Sequence, residues 1–177
     1  MRYLALIVVP AGGLAALIAF IVVIAPGILA LPLNRTPPQP VYFDHKVHVQ
    51  TAGLECAFCH RTATNAATAG YPDVQQCMFC HSVITGTGNE QFQQEIDKVR
   101  QAWTAQRPID WMRIHRMPDH VNFVHEAHLR AGFQCATCHG DVGNMGQVTQ
   151  VRTLNMGDCV ACHRQNGASA ECATCHK

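Results

Sequence analysis

The chain has 177 residues, of which 10 are cysteine and 11 are histidine, and its formal net charge is +1. A near-neutral chain without a cluster of Lys and Arg excludes a basic nucleic-acid surface and a polybasic lipid-binding patch. Only 14% of the residues are charged, and so many cysteines and histidines are not typical of an ordinary globular enzyme.

Residues 1–33 are predicted to form a transmembrane signal anchor. Leu4 to Leu33 contain only Leu, Ile, Val, Ala, Phe, Gly and Pro, and about 20 helical residues cross a hydrocarbon core of roughly 30 Å. A cleaved signal peptide is the alternative, but the only charge before the apolar run is Arg2 and no A-x-A site precedes Leu33. Arg2 favours a cytoplasmic amino terminus. We therefore expect a single-pass protein of the cytoplasmic membrane whose body lies on the periplasmic side.

A Pro-rich linker, residues 34–40, leads into a body that contains an internal repeat. Val41 to His60 reads VYFDHKVHVQTAGLECAFCH, and Val121 to His139 reads VNFVHEAHLRAGFQCATCH. Ten positions match when one gap is allowed. The body, residues 41–177, is accordingly divided into three parts. The first half (41–85) contains two CxxCH motifs and is called the two-motif half, residues 86–112 form a connecting helix region, and the second half (113–177) contains three CxxCH motifs and is called the three-motif half.

The connecting region is predicted to form an amphipathic helix. Thr87 and Glu90 have the spacing of a capping box at its start. Large apolar residues then recur at helical spacing, which predicts one face that packs against the rest of the body. That face consists of Phe92, Ile96, Val99 and Trp103.

Every cysteine lies in a CxxCH motif, and the five motifs are numbered I to V in chain order. Two thiols spaced by two residues can bond both vinyl groups of one porphyrin, and the histidine that follows reaches the iron. This predicts five covalently bound haem c groups. The attachment residues are Cys56 and Cys59 (motif I), Cys77 and Cys80 (II), Cys135 and Cys138 (III), Cys159 and Cys162 (IV), and Cys172 and Cys175 (V). The predicted proximal ligands are His60, His81, His139, His163 and His176.

Other uses of these cysteines fit less well. Zinc sites use CxxC pairs, but five pairs that are each followed directly by histidine are not the usual zinc spacing. Disulfides between cysteines three residues apart close very short loops and would cross-link almost nothing. A thioredoxin-like redox motif would occur once, in a βαβ context.

Six histidines lie outside the motifs, and five irons need five further ligands. Two Phe-x-His-x-x-His segments, each just ahead of a CxxCH motif, predict that His45, His48, His125 and His128 are ligands. For the fifth we prefer His115, because the flanking Arg113 and Arg116 could pair with haem propionates. His120 stays open as an alternative, as does a thioether from Met112, Met117, Met145 or Met156.

The body offers only 137 residues to five motifs. So short a chain per motif cannot build a large side-chain core, and buried porphyrin would have to replace it. The predicted fold class is therefore mainly α and irregular: one amino-terminal transmembrane helix and a compact multihaem domain with little regular secondary structure.

The segments FDHKVH and FVHEAH, each followed by CxxCH, resemble the class III multihaem cytochromes c. In that family the two histidines of the pair ligate different haems. The resemblance implies that His45 and His125 ligate the haems of motifs I and III. It also implies that His48 and His128 reach neighbouring haems, those of motifs II and IV, and leaves His115 for motif V.

The anchor, the five motifs and the stretch WMRIHRMPDHVNFVHEAHLRAGFQCATCHGDV resemble the pentahaem cytochrome c family (ActA) of bacterial alternative complex III. In that family the complex oxidises menaquinol and passes electrons through iron–sulfur and haem subunits to a periplasmic cytochrome c or blue-copper protein. The resemblance implies an electron-transfer relay rather than a catalyst by itself. It also implies three kinds of partner: an iron–sulfur subunit, polytopic quinol-binding subunits and a monohaem cytochrome c.

Two other functions compete with this one. A quinol dehydrogenase of the NapC/NrfH kind also has one helix and four or five haems, and its first haem lies close to the membrane. Here 22 residues separate Leu33 from Cys56, which argues against that arrangement. A multihaem reductase of nitrite or a similar small molecule would need an open iron, whereas this chain has enough histidines to fill every axial position.

Overall fold

The computed structural model describes residues 12–14, 16–24 and 36–177. The chain divides into two compact units, Met1–Leu33 and Asn34–Lys177. In the first unit residues 12–14 and 16–24 are helical, and Phe20–Ile24 have π-helical hydrogen bonding. Within the described residues no helix is both long and apolar enough to cross a membrane. Most of the predicted anchor and the start of the predicted linker lie outside the described residues.

The second unit is built from short helices joined by irregular segments, and residues 36–177 contain no β-sheet. Their strand pairing is limited to an isolated antiparallel bridge between Val121 and His176. This part of the structure confirms the mainly helical and irregular fold class. The helices are α1 (Cys56–Cys59), α2 (Val74–His81), α3 (Glu90–Thr104), α4 (His125–Arg130), α5 (Cys135–His139), α6 (Met156–Gln165) and α7 (Cys172–Cys175), with a π-helical turn at Val47–Thr51 and 3-10 turns at Arg61–Thr64 and Val142–Asn144.

The longest helix of this unit, α3, is the predicted connecting helix, but the predicted cap is wrong. The cap is Asn89, whose side chain accepts a hydrogen bond of 3.0 Å from the backbone N–H of Phe92. Glu90 is therefore the first helical residue instead of the third. Thr87 hydrogen-bonds to the hydroxyl of Thr85 at 2.6 Å. Asn is among the best N-cap residues, and here it lies closer to the helix than the threonine.

The side-chain core is small, as the sequence predicts. Among the described residues the buried hydrophobic side chains are Val41, Val74 and Val99. They bring the start of the body together with α2 and α3, and Trp111 packs against them from the chain that follows α3. The three-motif half contributes no buried hydrophobic side chain to the described structure. Something other than apolar side chains must therefore organise that half.

Candidate haem-binding motifs

Each CxxC pair lies on a helix. In motifs I, III and V the first cysteine begins a short helix, and in motifs II and IV the pair lies within α2 and α6. Residues three apart on a helix are neighbours on its surface, so the two thiols of a motif face the same side. All ten cysteines are free thiols. This arrangement permits two thioether bonds to one porphyrin at each motif.

The rings of three motif histidines are oriented by backbone carbonyls. In each case the Nδ1–H donates a hydrogen bond, which fixes the tautomer and leaves Nε2 available for a metal. The bonds run from His60 to Gly70 (2.8 Å), from His81 to Ile84 (3.1 Å) and from His163 to Ser169 (2.6 Å).

The histidines of the two Phe-x-His-x-x-His segments are arranged in the same way in both repeats. In the first repeat the ring of Phe43 stacks on His48 at a centroid distance of 4.2 Å and meets His45 edge-on at 4.8 Å. In the second repeat Phe123 stacks on His128 at 4.7 Å and meets His125 edge-on at 4.8 Å. The phenylalanine therefore sets the angle between two imidazoles that point to different motifs.

Backbone carbonyls also orient three of these four imidazoles. The second histidine of each segment, His48 or His128, donates from Nδ1 to the carbonyl four residues earlier at 2.8 Å. His125 donates from Nδ1 to the carbonyl of Ala67, in the other half, also at 2.8 Å. In His45 the Nδ1 atom is buried and has no hydrogen-bond partner within the described structure. In the three oriented imidazoles Nε2 is the free nitrogen, as metal ligation requires.

Four motif histidines face an imidazole from outside the motifs. Metal–imidazole bonds are about 2.0–2.1 Å long, so two imidazoles on opposite sides of one metal ion have ring centroids roughly 6 Å apart. The observed centroid distances are 6.0 Å for His48 and His81, 6.0 Å for His128 and His163, 6.2 Å for His125 and His139, and 5.5 Å for His120 and His176.

The remaining predicted pair is His45 and His60. Burial, together with the nearby His60 and His48, lowers the pKa of His45 to about 4. Two imidazoles that share one metal must both be neutral, so the low pKa of His45 is compatible with ligation.

The structure separates the roles of His115 and His120. His120, and not the preferred His115, lies beside His176, with the two rings inclined by only 14°. The backbone holds it there, because Val121 pairs with His176 and the N–H of Lys177 donates to the carbonyl of His120 at 3.1 Å. We preferred His115 as the fifth ligand because of the flanking Arg113 and Arg116, but His120 is the histidine that lies beside His176.

The thiols place the five motifs in one spatial order. Burial raises the pKa values of four cysteines in motifs II, III and IV, and at each of them a thiol of another motif adds to the rise. Such an effect requires the two thiols to be close neighbours. The neighbouring thiols are Cys77 and Cys59 (motifs II and I), Cys135 and Cys56 (III and I), Cys138 and Cys162 (III and IV), and Cys159 and Cys175 (IV and V). These four neighbouring pairs are compatible with the order II, I, III, IV, V.

These residues fit haem c. Thiols occur in pairs on one helical face, and imidazoles occur in opposed pairs at the separation that one metal ion requires. A porphyrin supplies the remaining four ligands of an octahedral iron, so the protein needs to contribute only the two imidazoles.

Comparisons with known proteins agree with this geometry. Residues 30–108 match the model of the class III cytochrome c family, and residues 121–177 match the model of cytochrome c7 and related cytochromes c. The chain is 29% identical over 165 residues to the multiheme cytochrome c subunit of menaquinone reductase from Nitratidesulfovibrio vulgaris. That alignment covers 78% of this chain and 77% of the relative. Most of the body therefore matches cytochrome c families whose members bind haem c covalently, and the paired thiols and histidines of both halves fit that cofactor.

Proposed function

We propose that the protein is a membrane-anchored pentahaem cytochrome c that relays electrons within a quinol:acceptor oxidoreductase complex of the alternative complex III kind. The observation that carries the proposal is that a thiol of each motif lies beside a thiol of the next in the order II, I, III, IV, V. An unbranched order has two ends, one for a donor and one for an acceptor.

The chain's own residues account for a relay without substrate chemistry. When bound, haem c supplies one-electron exchange between ferric and ferrous iron. The ten cysteines would attach five porphyrins, and the five motif histidines together with His45, His48, His120, His125 and His128 would ligate their irons. A fully ligated iron has no open position for a small molecule, which argues against a nitrite-type reductase.

The membrane parts of the proposal rest on sequence and on the relative. The apolar run from Leu4 to Leu33 supports a single transmembrane anchor, with the haem domain on the periplasmic side. The relative is a subunit of a menaquinone reductase, which supports partners in a membrane complex. The partners proposed from the resemblance are an iron–sulfur subunit, polytopic quinol-binding subunits and a monohaem cytochrome c. A periplasmic cytochrome c or a blue-copper protein is the proposed electron acceptor.

The same relative supports a second candidate, in which the relay delivers electrons to menaquinone instead of taking them from menaquinol. The NapC/NrfH-like quinol dehydrogenase is a further alternative, in which this chain itself meets quinol and feeds a periplasmic reductase. The three readings differ in partners and in the direction of flow, and all three use the same five motifs.

Two measurements on the detergent-purified protein test the proposal. The intact mass should exceed that of the polypeptide by five haem groups, and the ferrous spectrum should be unchanged by carbon monoxide because both axial positions are filled. A smaller mass excess or a carbon-monoxide adduct in the unmodified protein would contradict the five-haem, fully ligated relay.

Mass spectrometry of the subunits that co-purify after gentle extraction tests the complex. Iron–sulfur, polytopic and monohaem cytochrome subunits are expected with alternative complex III. Oxidation of a menaquinol analogue by the isolated chain would instead support the quinol dehydrogenase. Reduction of a menaquinone analogue by the complex, with a reduced cytochrome as donor, would support the second candidate.

A further inference from the structure

The motif III histidine has a different hydrogen-bond partner from three of the other motif histidines. His60, His81 and His163 donate from Nδ1 to backbone carbonyls. At the same atom of His139 the partner is a second imidazole, the Nδ1 of His115, at 3.3 Å. A side chain, which can be replaced by mutation, therefore takes the place of a backbone carbonyl at this motif.

The geometry excludes His115 as the opposite ligand at this motif. The ring centroids of His115 and His139 are only 4.4 Å apart and the rings are perpendicular, at 89°. That separation is too short for a metal ion between them, which requires roughly 6 Å. His125 has the required separation, 6.2 Å, with its ring inclined by only 8° to that of His139.

The protonation of the two rings follows from their positions. A histidine that ligates iron through Nε2 carries its proton on Nδ1, so His139 is the donor and His115 the acceptor. A neutral His115 then carries its proton on Nε2, an atom that is buried without a partner in the described structure.

We propose that His115 is a positioning residue that accepts a hydrogen bond from Nδ1 of His139 and thereby lowers the reduction potential of the haem at motif III. The proposal rests on the proposed function, since it takes His139 as an axial ligand. A hydrogen bond to the outer nitrogen makes an imidazole ligand more basic, and a more basic ligand favours ferric iron. An imidazole nitrogen is also a more basic acceptor than the amide carbonyls used at motifs I, II and IV.

The position of motif III gives this hydrogen bond its significance. In the order II, I, III, IV, V it is the central motif. Every electron that crosses the chain from end to end passes motif III. A residue that sets the potential there therefore affects end-to-end transfer, whichever direction the flow takes.

Redox titration of purified variants tests the proposal. His115→Phe keeps a planar ring but cannot accept a hydrogen bond, and His115→Leu is a second variant without an acceptor in case the first fails to fold. His115→Gln restores an acceptor oxygen. Mutation of an outer-shell partner of a metal ligand typically costs roughly 10- to 100-fold in metal affinity or activity, and we take the lower end of that range for the redox equilibrium. We expect the ferric-to-ferrous ratio of one haem to fall about tenfold at fixed potential, equal to about 59 mV upward for a one-electron step.

The reduction potentials of the four other haems should stay unchanged, and all five haems should stay low-spin. His115→Gln should reverse most of the shift. Unchanged potentials in the acceptor-free variants would overturn the role of His115 and leave the relay intact. A high-spin haem in those variants would also overturn the proposal, because it would indicate that His115 is an axial ligand and not a positioning residue. A wild-type protein with fewer than five low-spin haems would signal failure of the proposed function itself.

Discussion

The two copies of the Phe-x-His-x-x-His repeat orient their imidazoles alike, yet the halves that surround them are stabilised by different means. In both copies the phenylalanine stacks on the second histidine, whose Nδ1 donates to the carbonyl four residues earlier. The two-motif half adds a small valine core shared with α3. The three-motif half contributes no buried hydrophobic side chain to the described residues. Ligand orientation is thus a local property of the repeat.

The three-motif half uses a polar cluster where the other half uses valines. Arg152 binds both carboxylate oxygens of Asp158 at 2.8 to 3.1 Å, and its Nη1 donates to the carbonyl of Thr137 inside motif III. The same carboxylate accepts from the backbone N–H of Leu154 at 3.1 Å. Leu154 has a positive φ of 50°, an uncommon conformation for a branched side chain that the cluster stabilises. The cluster joins motif III to motif IV.

The largest expected effects come from removing the shared feature of the repeats. His48→Ala and His128→Ala should each produce one high-spin haem, at motif II and motif IV respectively, because each removes the imidazole that faces the motif histidine. The ferrous form of each variant should bind carbon monoxide at one haem. Thr51→Ala, at an exposed position of the same helical turn as His48, is the control and should bind none. A high-spin haem in only one of the two variants would break the equivalence of the repeats.

A smaller effect is expected from the feature that the halves do not share. Asp158→Asn removes the charge that holds Arg152 and Leu154, and hydrogen bonds to charged groups contribute about 1.5–3 kcal/mol each. Because both side chains are partly exposed, we expect a loss of about 1–2 kcal/mol in the free energy of unfolding, measured by denaturant titration. Asp73→Asn is the matched control at α2, since Asn caps a helix as well as Asp does. Equal losses of unfolding free energy in both variants would contradict a stabilising role that is specific to the Arg152–Asp158 cluster.

The same cluster predicts a pH dependence. The hydrogen bond from Arg152 lowers the pKa of Asp158. A carboxyl with a lowered pKa in the folded state stabilises the fold above its unfolded pKa, about 3.9. That contribution is lost as the pH falls through the lower folded value. The difference in stability between the wild type and Asp158→Asn should therefore be constant near neutral pH and shrink below about pH 4. A difference that grows on acidification would contradict this assignment.

The smallest expected effects are again equal in the two repeats. Gly53 and Gly132 are equivalent positions with φ of 69° and 88°, and an added Cβ would meet nothing within 4 Å at either. Gly53→Ala and Gly132→Ala should each cost about 1 kcal/mol, from backbone strain alone. Thermal unfolding followed in the Soret band measures both. A cost several times larger at one position would indicate a contact that differs between the repeats.

Much of the haem chemistry could be predicted from the sequence because it is local. The CxxCH motifs, the repeat and the helix at Glu90–Thr104 each depend on residues within a few turns of one another. The cap of that helix was missed because Thr87 and Asn89 compete for the same role within two residues. Local competition of this kind depends on turn geometry, which residue types alone do not specify.

The long-range part of the site could not be predicted. Nothing in the residues around His115 or His120 shows that the backbone bridge from Val121 to His176 brings His120 to motif V. The order of the motifs is likewise a product of tertiary structure. Motif I lies between motifs II and III in space, whereas in the chain motif II lies between motifs I and III. Pairings between distant residues depend on chain path, and spacing in the sequence gives no measure of that path.

The central claim is the unbranched order of five haems, and locating the irons tests it most directly. Anomalous diffraction at the iron edge from crystals of the detergent-purified protein would give five iron positions, each assigned to a motif by its attached cysteines. We predict a single line of neighbours in the order II, I, III, IV, V, with His120 opposite His176 at the last iron. A branched cluster, or motifs II and V as neighbours, would contradict the relay described above.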